Sequence, residues 1–309
     1  MILTVTLNPA LDKTVILPGF ALDSVNRVQS IRLDPGGKGI NVSKSIQGIE
    51  GNTMAIAILG GSTGVYIKEK LDEIGISNDM VFTAAATRTN LKVVDPELHT
   101  NTDINEAGEP VSNDTLTAVW NKMKEHLSTG DTVVFAGKNP PGMADDVLAC
   151  WIRALRTMGV RVCVDTVGKA MKLALMEKPD IIKPNQEELS DLVGRPLKTI
   201  DEVLAAARGL NETGVGLVTV SMGGDGALFV TKDQVLRGYC PKVKVNSTVG
   251  AGDSMMAALA HYTEAGLPLE DVARRAIAVS AATVTMDGTQ AADLSRIVPL
   301  LDQVRIEEI

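Results

Sequence analysis

Ser247-Thr248-Val249-Gly250-Ala251-Gly252-Asp253-Ser254 decides how the chain is read. Gly250, Ala251 and Gly252 let a backbone pass close to a ligand and adopt torsions that larger side chains resist. Met255-Met256-Ala257-Ala258-Leu259-Ala260 follows, a small and apolar run that predicts a buried helix. A glycine turn therefore opens a helix, with the carboxylate of Asp253 at its mouth. The first N–H groups of a helix have no partner within it and the dipole there is positive, so the position suits an anion. A carboxylate already placed at an anion site points to a phosphate meeting a general base. On the octapeptide alone, Asp253 as an ordinary helix cap fits equally well.

The rest of the chain narrows the choice. With 309 residues there is room for one large α/β domain or two ordinary ones. Hydrophobic residues at 45% supply a substantial core. Aromatic residues at 3% and a net charge of −8 argue against a nucleic-acid partner, which needs stacking platforms and a basic face. A small phosphorylated ligand needs only a few local cations and is not excluded. Cys150, Cys163 and Cys240 are too few and too scattered for a disulfide framework and fit a reducing compartment. Met1 to Leu7 lacks the basic start and long apolar core of a signal peptide. No apolar run approaches the roughly 20 residues of a membrane helix. A soluble, cytoplasmic protein with no membrane partner is expected.

Taken in order, residues 1 to 7 predict a buried strand, ended by Asn8-Pro9-Ala10. Val25 to Leu33 alternates with the period of a half-exposed strand. Asp34-Pro35-Gly36-Gly37-Lys38-Gly39 is a second glycine cluster and leads into a helix from Ile40 to Ile49. Thr53 to Leu59 predicts a strand, and a helix through Leu71 and Ile74 follows. A second alternating stretch, Thr87 to Val94, lies in a hairpin bounded by Pro96 and Gly108-Glu109-Pro110. The two half-exposed segments, residues 12–34 and 87–109, are read as one small sheet apart from the core of residues 1–11, 35–86 and 110–309. From residue 112 onward, helices alternate regularly with strands at 131–136, 160–164, 180–182 and 217–221. A hairpin covers 227–230 and 235–239, and helices are expected from the glycine turn to the C-terminus. This alternation predicts a parallel sheet covered on both faces, with ligands outside the carboxyl ends of its strands.

Three stretches carry candidate chemistry. Gly36-Gly37-Lys38-Gly39-Ile40-Asn41 is not a Walker A loop, because no Ser or Thr follows the lysine. It reads as a turn or as a ligand loop. In Lys183-Pro184-Asn185-Gln186-Glu187-Glu188, Asn185 and Glu188 either form a capping box or face the strand ends one turn apart and hold Mg²⁺ through water. Ser221-Met222-Gly223-Gly224-Asp225-Gly226 is either a tight turn or a close backbone approach to a ligand. His99, His126 and His261 show no metal spacing, no G-x-S-x-G elbow is present, and the first strand is not followed by the glycine fingerprint of a dinucleotide enzyme.

Together, Gly37 to Ser43 and Ser247 to Asp253 resemble the two signatures of the ribokinase-like (PfkB) carbohydrate kinases, and Lys183 to Glu188 resembles that family's N-x-x-E motif. The resemblance spans essentially the whole chain. Thr6 to Asp12 and the lysine of Gly-Gly-Lys-Gly are similar to the hexose-phosphate branch. Thr87 to Asn90 and Thr102 to Glu106 look most like members that phosphorylate fructose 1-phosphate, with tagatose 6-phosphate and fructose 6-phosphate as alternative acceptors. The resemblance implies a three-layer α/β/α sandwich with a small β-sheet lid, and ATP with Mg²⁺ as cofactors. It gives Asp253 the role of general base and the N–H groups from Gly250 through Ala251 and Gly252 to Asp253 the role of anion hole. Asp12, Gly37 and Asn41 are implied for sugar hydroxyls, and Lys38, Arg88 and Arg27 for the sugar's own phosphate. Lys183, Asn185, Ser221, Gly223 and Gly226 are implied for ATP, and Asn185 with Glu188 for Mg²⁺ through water.

One position departs from the pattern. The family usually has Gly-Ser-Leu-Pro after the strand at 131–136, and here Gly137-Lys138-Asn139-Pro140 stands in its place. Lys138 is either an extra ligand for the substrate phosphate or a solvated lysine, and the preferred acceptor turns partly on which. A regulator that keeps the fold without catalysis is the alternative of another class; the intact Asp253 and its glycines speak for the kinase. Exposed lid strands tend to pair, so a homodimer through the lid is expected.

Overall fold

The computed structural model describes residues 1–309. The first half of the chain comprises β1 (Ile2–Thr6), β2 (Ala10–Ile16), β3 (Ser30–Gly36), α1 (Lys38–Gly48), β4 (Thr53–Gly60), α2 (Gly61–Glu73), β5 (Ser77–Asn78), β6 (Val81–Thr83), β7 (Arg88–Asp95), β8 (Thr100–Asn105) and α3 (Asn113–His126). The next part comprises β9 (Thr132–Ala136), α4 (Val147–Thr157), β10 (Arg161–Asp165), α5 (Gly168–Met176), β11 (Ile181–Ile182), α6 (Gln186–Val193) and α7 (Ile200–Glu212). The last part comprises β12 (Leu217–Ser221), β13 (Ala227–Val230), β14 (Val235–Tyr239), α8 (Ala251–Glu264), α9 (Leu269–Thr283), α10 (Leu294–Leu301) and β15 (Arg305–Glu308).

The large sheet runs β15-β14-β13-β12-β11-β10-β9-β1-β4-β5, with β6 also on β4. Its strands are parallel from β12 to β5, and the β13–β15 end is antiparallel. Both faces are covered, which is why its strands read as continuous apolar runs. Leu3, Val5, Val133 and Phe135 pack toward α3, α4 and α5, through Val119, Ile152 and Met171 among others. Ile2, Val134 and Ala136 face the other way, toward α1, α8 and α9. Three layers result, with the second face carried by an α8 so rich in alanine that it lies close against α9. No helix is long and apolar enough to cross a membrane.

Four strands form a separate sheet in the order β3-β2-β7-β8. Its two faces differ. Val15, Leu17 and Val93, with Phe20 and Leu91, make a small apolar cluster on one side. Asp12, Thr14, Arg88, Asn90 and Lys92 point to the other side, into the main cavity.

Three details differ from the sequence reading. Val25 to Gln29 is not strand: Asn26 satisfies local backbone, accepting from Ala21 N at 3.0 Å and donating to Ala21 O at 2.8 Å, so the segment stays a loop. The strand begins at Ser30 and pairs with β2, which the Asn8-Pro9-Ala10 turn signal had hidden. The chain also ends in a strand rather than a helix, because β15 pairs antiparallel with β14 and covers the sheet edge.

Gly226 has φ +90°, and a Cβ there would lie 1.9 Å from Gly238 O across the β13–β14 pair. Gly226→Ala should therefore destabilise the fold by about 1–3 kcal/mol through backbone strain alone, read as a lower urea midpoint. An unchanged midpoint would show that the hairpin relaxes freely.

Candidate active site

The carboxyl ends of β10, β11 and β12, the start of α8 and the inner face of the small sheet enclose one cavity of about 1030 Å³. The start of α8 is its centre. Gly250 is the N-cap in the left-handed region at φ +82°, which glycine alone adopts cheaply. The N–H groups of Gly250, Gly252 and Asp253 have no acceptor within the protein. They face the cavity as the positive end of a fourteen-residue helix. Lys183, only 4% exposed, reinforces that charge: a Cβ on Gly252 would lie 3.1 Å from its Nζ. Any larger residue there would press on the ammonium and require it to shift.

Asp253 is buried and accepts a hydrogen bond from Asn41 Nδ2 at 2.8 Å. Asn41 sits one turn into α1, and its Oδ1 is buried with no partner, an acceptor left for a ligand hydroxyl. Burial pushes the Asp253 carboxyl above the usual carboxylate range, and the charge of Asp165 adds to the push. Lys38, the Asn41 bond and Lys183 oppose it.

Asp165, at the end of β10, is the partner both lysines share. Lys38 Nζ donates to Asp165 Oδ1 at 3.1 Å, and Lys183 Nζ lies 3.5 Å from Oδ2. Burial alone would raise the Asp165 carboxyl; Lys183 and Lys38 outweigh it and hold the group below the usual range. Asp165 directly follows the strand predicted at 160–164, but nothing local in the sequence gives it a role. Only the register of β10 against β9 and β11 brings it under α8.

On the lid side, Asp12 accepts from Asn90 Nδ2 at 2.9 Å, and burial raises its carboxyl against that bond. Gly36 makes room for it, since a Cβ there would lie 2.2 Å from Asp12 Oδ2. Gly37, at φ +109°, lets the loop cross Thr6 and Pro9, with a Cβ only 2.7 Å from Thr6 Cγ2. Arg88 donates through Nη1 to Asn90 Oδ1 at 3.0 Å and Glu106 O at 2.8 Å, and through Nη2 to Asn8 O at 3.1 Å. Asn185 and Glu188 form the capping box: Asn185 Oδ1 accepts from Glu188 N at 2.8 Å, and Glu188 Oε2 accepts from Asn185 N at 2.9 Å. Both still line the cavity, as do Ser221 and Gly223. Asn90, Lys92 and the wall formed by Cys240, Val243, Val245 and Val284 are cavity residues that the sequence reading missed.

Three expected site residues lie elsewhere. Gly226 is packed against Gly238, outside the cavity. Arg27 is exposed on the loop before β3. Lys138 is exposed at the edge of a narrow crevice beside Asn139 and Thr166.

A buried carboxylate beside unpartnered helix N–H groups, in a cleft under a small sheet, defines a phosphotransferase acting on an alcohol. The comparisons make this specific. Residues 5–296 match the profile of the pfkB family carbohydrate kinase, and the chain belongs to that family. It takes ATP as its phosphate donor. The chain is 40% identical over 280 residues to the 1-phosphofructokinase of Rhodobacter capsulatus, covering 90% of this chain and 89% of that one. It is 33% identical over 310 residues to the 1-phosphofructokinase of Borreliella burgdorferi, covering 100% and 99%. The phosphofructokinase-2 of Escherichia coli, solved with fructose-6-phosphate, superposes with a TM-score of 0.93 at 30% identity over 98% of each chain.

Two outcomes are expected. Asp253→Asn should lower kcat by roughly 10²–10⁴-fold, the usual share of a general base, while calorimetry still detects ATP binding. The acid limb of kcat/KM should lie above the ordinary aspartate range, because the active form is the ionised one and its pKa is raised. Lys38 lowers that pKa, so Lys38→Met should move the limb to higher pH; a move to lower pH would contradict the arrangement.

Proposed function

We propose that the chain is a 1-phosphofructokinase: it transfers the γ-phosphoryl group of ATP to the 6-hydroxyl of fructose 1-phosphate, giving fructose 1,6-bisphosphate. The observation that carries this is the convergence of Asp253, Asn41 and the free α8 N–H groups on one cavity whose other wall is the polar face of the lid. Identity of 40% and 33% to two 1-phosphofructokinases over nearly the whole chain supports the choice of acceptor.

The residues divide the work by position. Asn41 and Asp12 hold ring hydroxyls, with Gly37 giving the loop its approach. Asn41 Nδ2 aims the Asp253 carboxylate, which takes the proton of the 6-hydroxyl as the new P–O bond forms. The N–H groups of Gly250, Gly252 and Asp253 and the ammonium of Lys183 receive the charge on the transferring phosphoryl, while the Ala251 N–H is turned back to Thr248 O at 3.4 Å. Lys38, held on Asp165 below the turn, belongs to the same reacting end. Such a loose transition state is catalysed mainly by positioning and charge neutralisation. Asn185, Ser221 and Gly223 line the nucleotide side.

Mg²⁺ fits this site through water. The capping box leaves Glu188 Oε1 free at the cavity, and no three His, Cys, Asp or Glu side chains cluster into a protein cage. Mg²⁺ usually keeps several waters and binds substrate phosphates with one or two carboxylates. When bound it would neutralise the donor phosphates.

Residues 12–34 and 87–109 act as a lid over the core of residues 1–11, 35–86 and 110–309. The lid's outer face carries Ile31, Leu33 and Ile104, exposed at 56%, 37% and 53%. Neighbouring Leu22 and Val25 are also exposed. That apolar face pairs with a second copy, giving a homodimer, and the cytoplasm, where ATP is at hand, is its compartment.

An ADP-release assay should rank fructose 1-phosphate above tagatose 6-phosphate, fructose 6-phosphate and free fructose in kcat/KM. A higher value for either 6-phosphate would overturn the acceptor assignment. Replacing Ile31 and Leu33 together with Asp should convert the sedimenting species to monomer, and an unchanged sedimentation coefficient would remove the lid from the interface.

A further inference from the structure

Lys44 is a cation that neither the sequence motifs nor the reaction employ. It lies three residues beyond Asn41 on α1, on the same face of the helix. Asn41 bonds Asp253, whereas Lys44 does not line the cavity. The Lys44 ammonium donates to Pro35 O at 2.9 Å, Thr289 O at 2.9 Å and Thr289 Oγ1 at 3.3 Å. These oxygens use all three of its donors, and none belongs to a carboxylate. Asp34, Asp12 and Asp253 supply negative charge around it from β3, β2 and α8, and Arg32 opposes them. Burial still draws the group down to about 8, so the enclosure has a cost. A cation enclosed at a cost, and held by backbone rather than by an acid, is placed for the segments it joins.

Those segments are the lid and the approach to the glycine turn. Pro35 belongs to β3, at the point where the lid strand joins the core ahead of Gly37. Thr289 is buried in the segment that follows α9. Gly288 beside it lies under the same lid strand: a Cβ there would run into the Arg32 guanidinium and sit 3.2 Å from Asp34 Oδ2. The other end of the segment holds the residues that lead into the glycine turn. Val284 O accepts from Asn246 N at 2.8 Å and from Ser247 N at 3.2 Å, and Thr285 O accepts from Asn246 Nδ2 at 2.9 Å. One ammonium thus ties α1, which carries Asn41, to the lid strand and to the support of the glycine turn.

We propose that Lys44 is a positioning residue for phosphoryl transfer: it clasps β3 of the lid to residues 284–289 and so fixes the glycine turn relative to the lid and to Asn41. The acceptor under the lid and the phosphoryl group at α8 are then held in one alignment. This rests on the proposed kinase reaction and deepens it, since it names what registers its two halves.

The test uses the full-length enzyme. A wild-type acceptor panel first fixes which hexose phosphate is turned over fastest, so an error in the kinase reading shows before any variant is made. Lys44→Met keeps the stem and removes the cation. It should lower kcat with that acceptor by roughly 10- to 100-fold, the usual cost of a small misplacement of reacting groups. The KM for ATP should hold, and Lys44→Arg should recover most of the loss. Thr289→Val should lower kcat by roughly 3- to 10-fold, the worth of one hydrogen bond, but add little to Lys44→Met, where that contact is already gone. Hydrogen exchange reads the clasp without turnover. The Asn246 and Ser247 amides should exchange at least about tenfold faster in Lys44→Met, while the β9 amides keep their protection. A kcat for Lys44→Met within twofold of wild type, additive losses with Thr289→Val, or unchanged exchange at Asn246 and Ser247 would each overturn the proposal. So would equal loss of protection in β9, which would assign Lys44 to global stability. Should Lys44→Met fail to fold, Thr289→Val alone decides: unchanged kcat and unchanged exchange at Asn246 and Ser247 would sink the clasp.

Discussion

Two buried carboxylates, Asp165 and Asp253, face the same cavity, and the rest of the site follows from making that tolerable. A buried charge is costly unless paired, and two of like sign raise the cost further. The chain answers with Lys38 and Lys183, both on Asp165, and with the positive end of α8. The answer is asymmetric. Asp165 receives the cations and is held ionised, whereas Asp253 receives only the Asn41 amide and has its carboxyl raised. One fixed anion organises the lysines, and the other is left poised to take a proton.

The fold supplies this arrangement through three layers. Parallel strands deliver Asp165 and Lys183 to the same sheet end from β10 and β11. Small residues let α8 lie close to α9 and to α1, so Asp253 and Asn41 meet although they are 212 residues apart. The glycines at 36, 37 and 252 are sites of close approach to Asp12, Thr6 and Lys183. They were conspicuous in the sequence as loose clusters; in the structure a Cβ would clash at Gly36 and Gly37 and crowd the Lys183 ammonium at Gly252.

Much of this was legible beforehand because the signals were local. The glycine turn before an apolar helix, the Asn185–Glu188 box and the regular alternation of strands and helices each need only a few neighbouring residues. The capping box also shows that two readings of one motif can coexist: the side chains cap α6 and still line the cavity. What escaped depends on pairing between distant segments. Asp165, Asn90 and Lys92 acquire their positions from strand register, which no local pattern states. Gly226 followed a strand just as Gly223 does, yet it packs against Gly238 because of the β13–β14 pairing. The terminal strand β15 is too short and too polar to announce itself.

The central claim is that the α8 N-terminus, with Lys183 and Asp253, is where the phosphoryl group passes. The most direct measurement is a crystal structure with ADP, Mg²⁺, fructose 1-phosphate and aluminium fluoride, which mimics the group in transit. The account predicts the fluoride within hydrogen-bond distance of the Gly252 and Asp253 N–H groups and of Lys183 Nζ, with the 6-hydroxyl against the Asp253 carboxylate. A fluoride bound away from those amides, or an acceptor hydroxyl that meets another base, would contradict it.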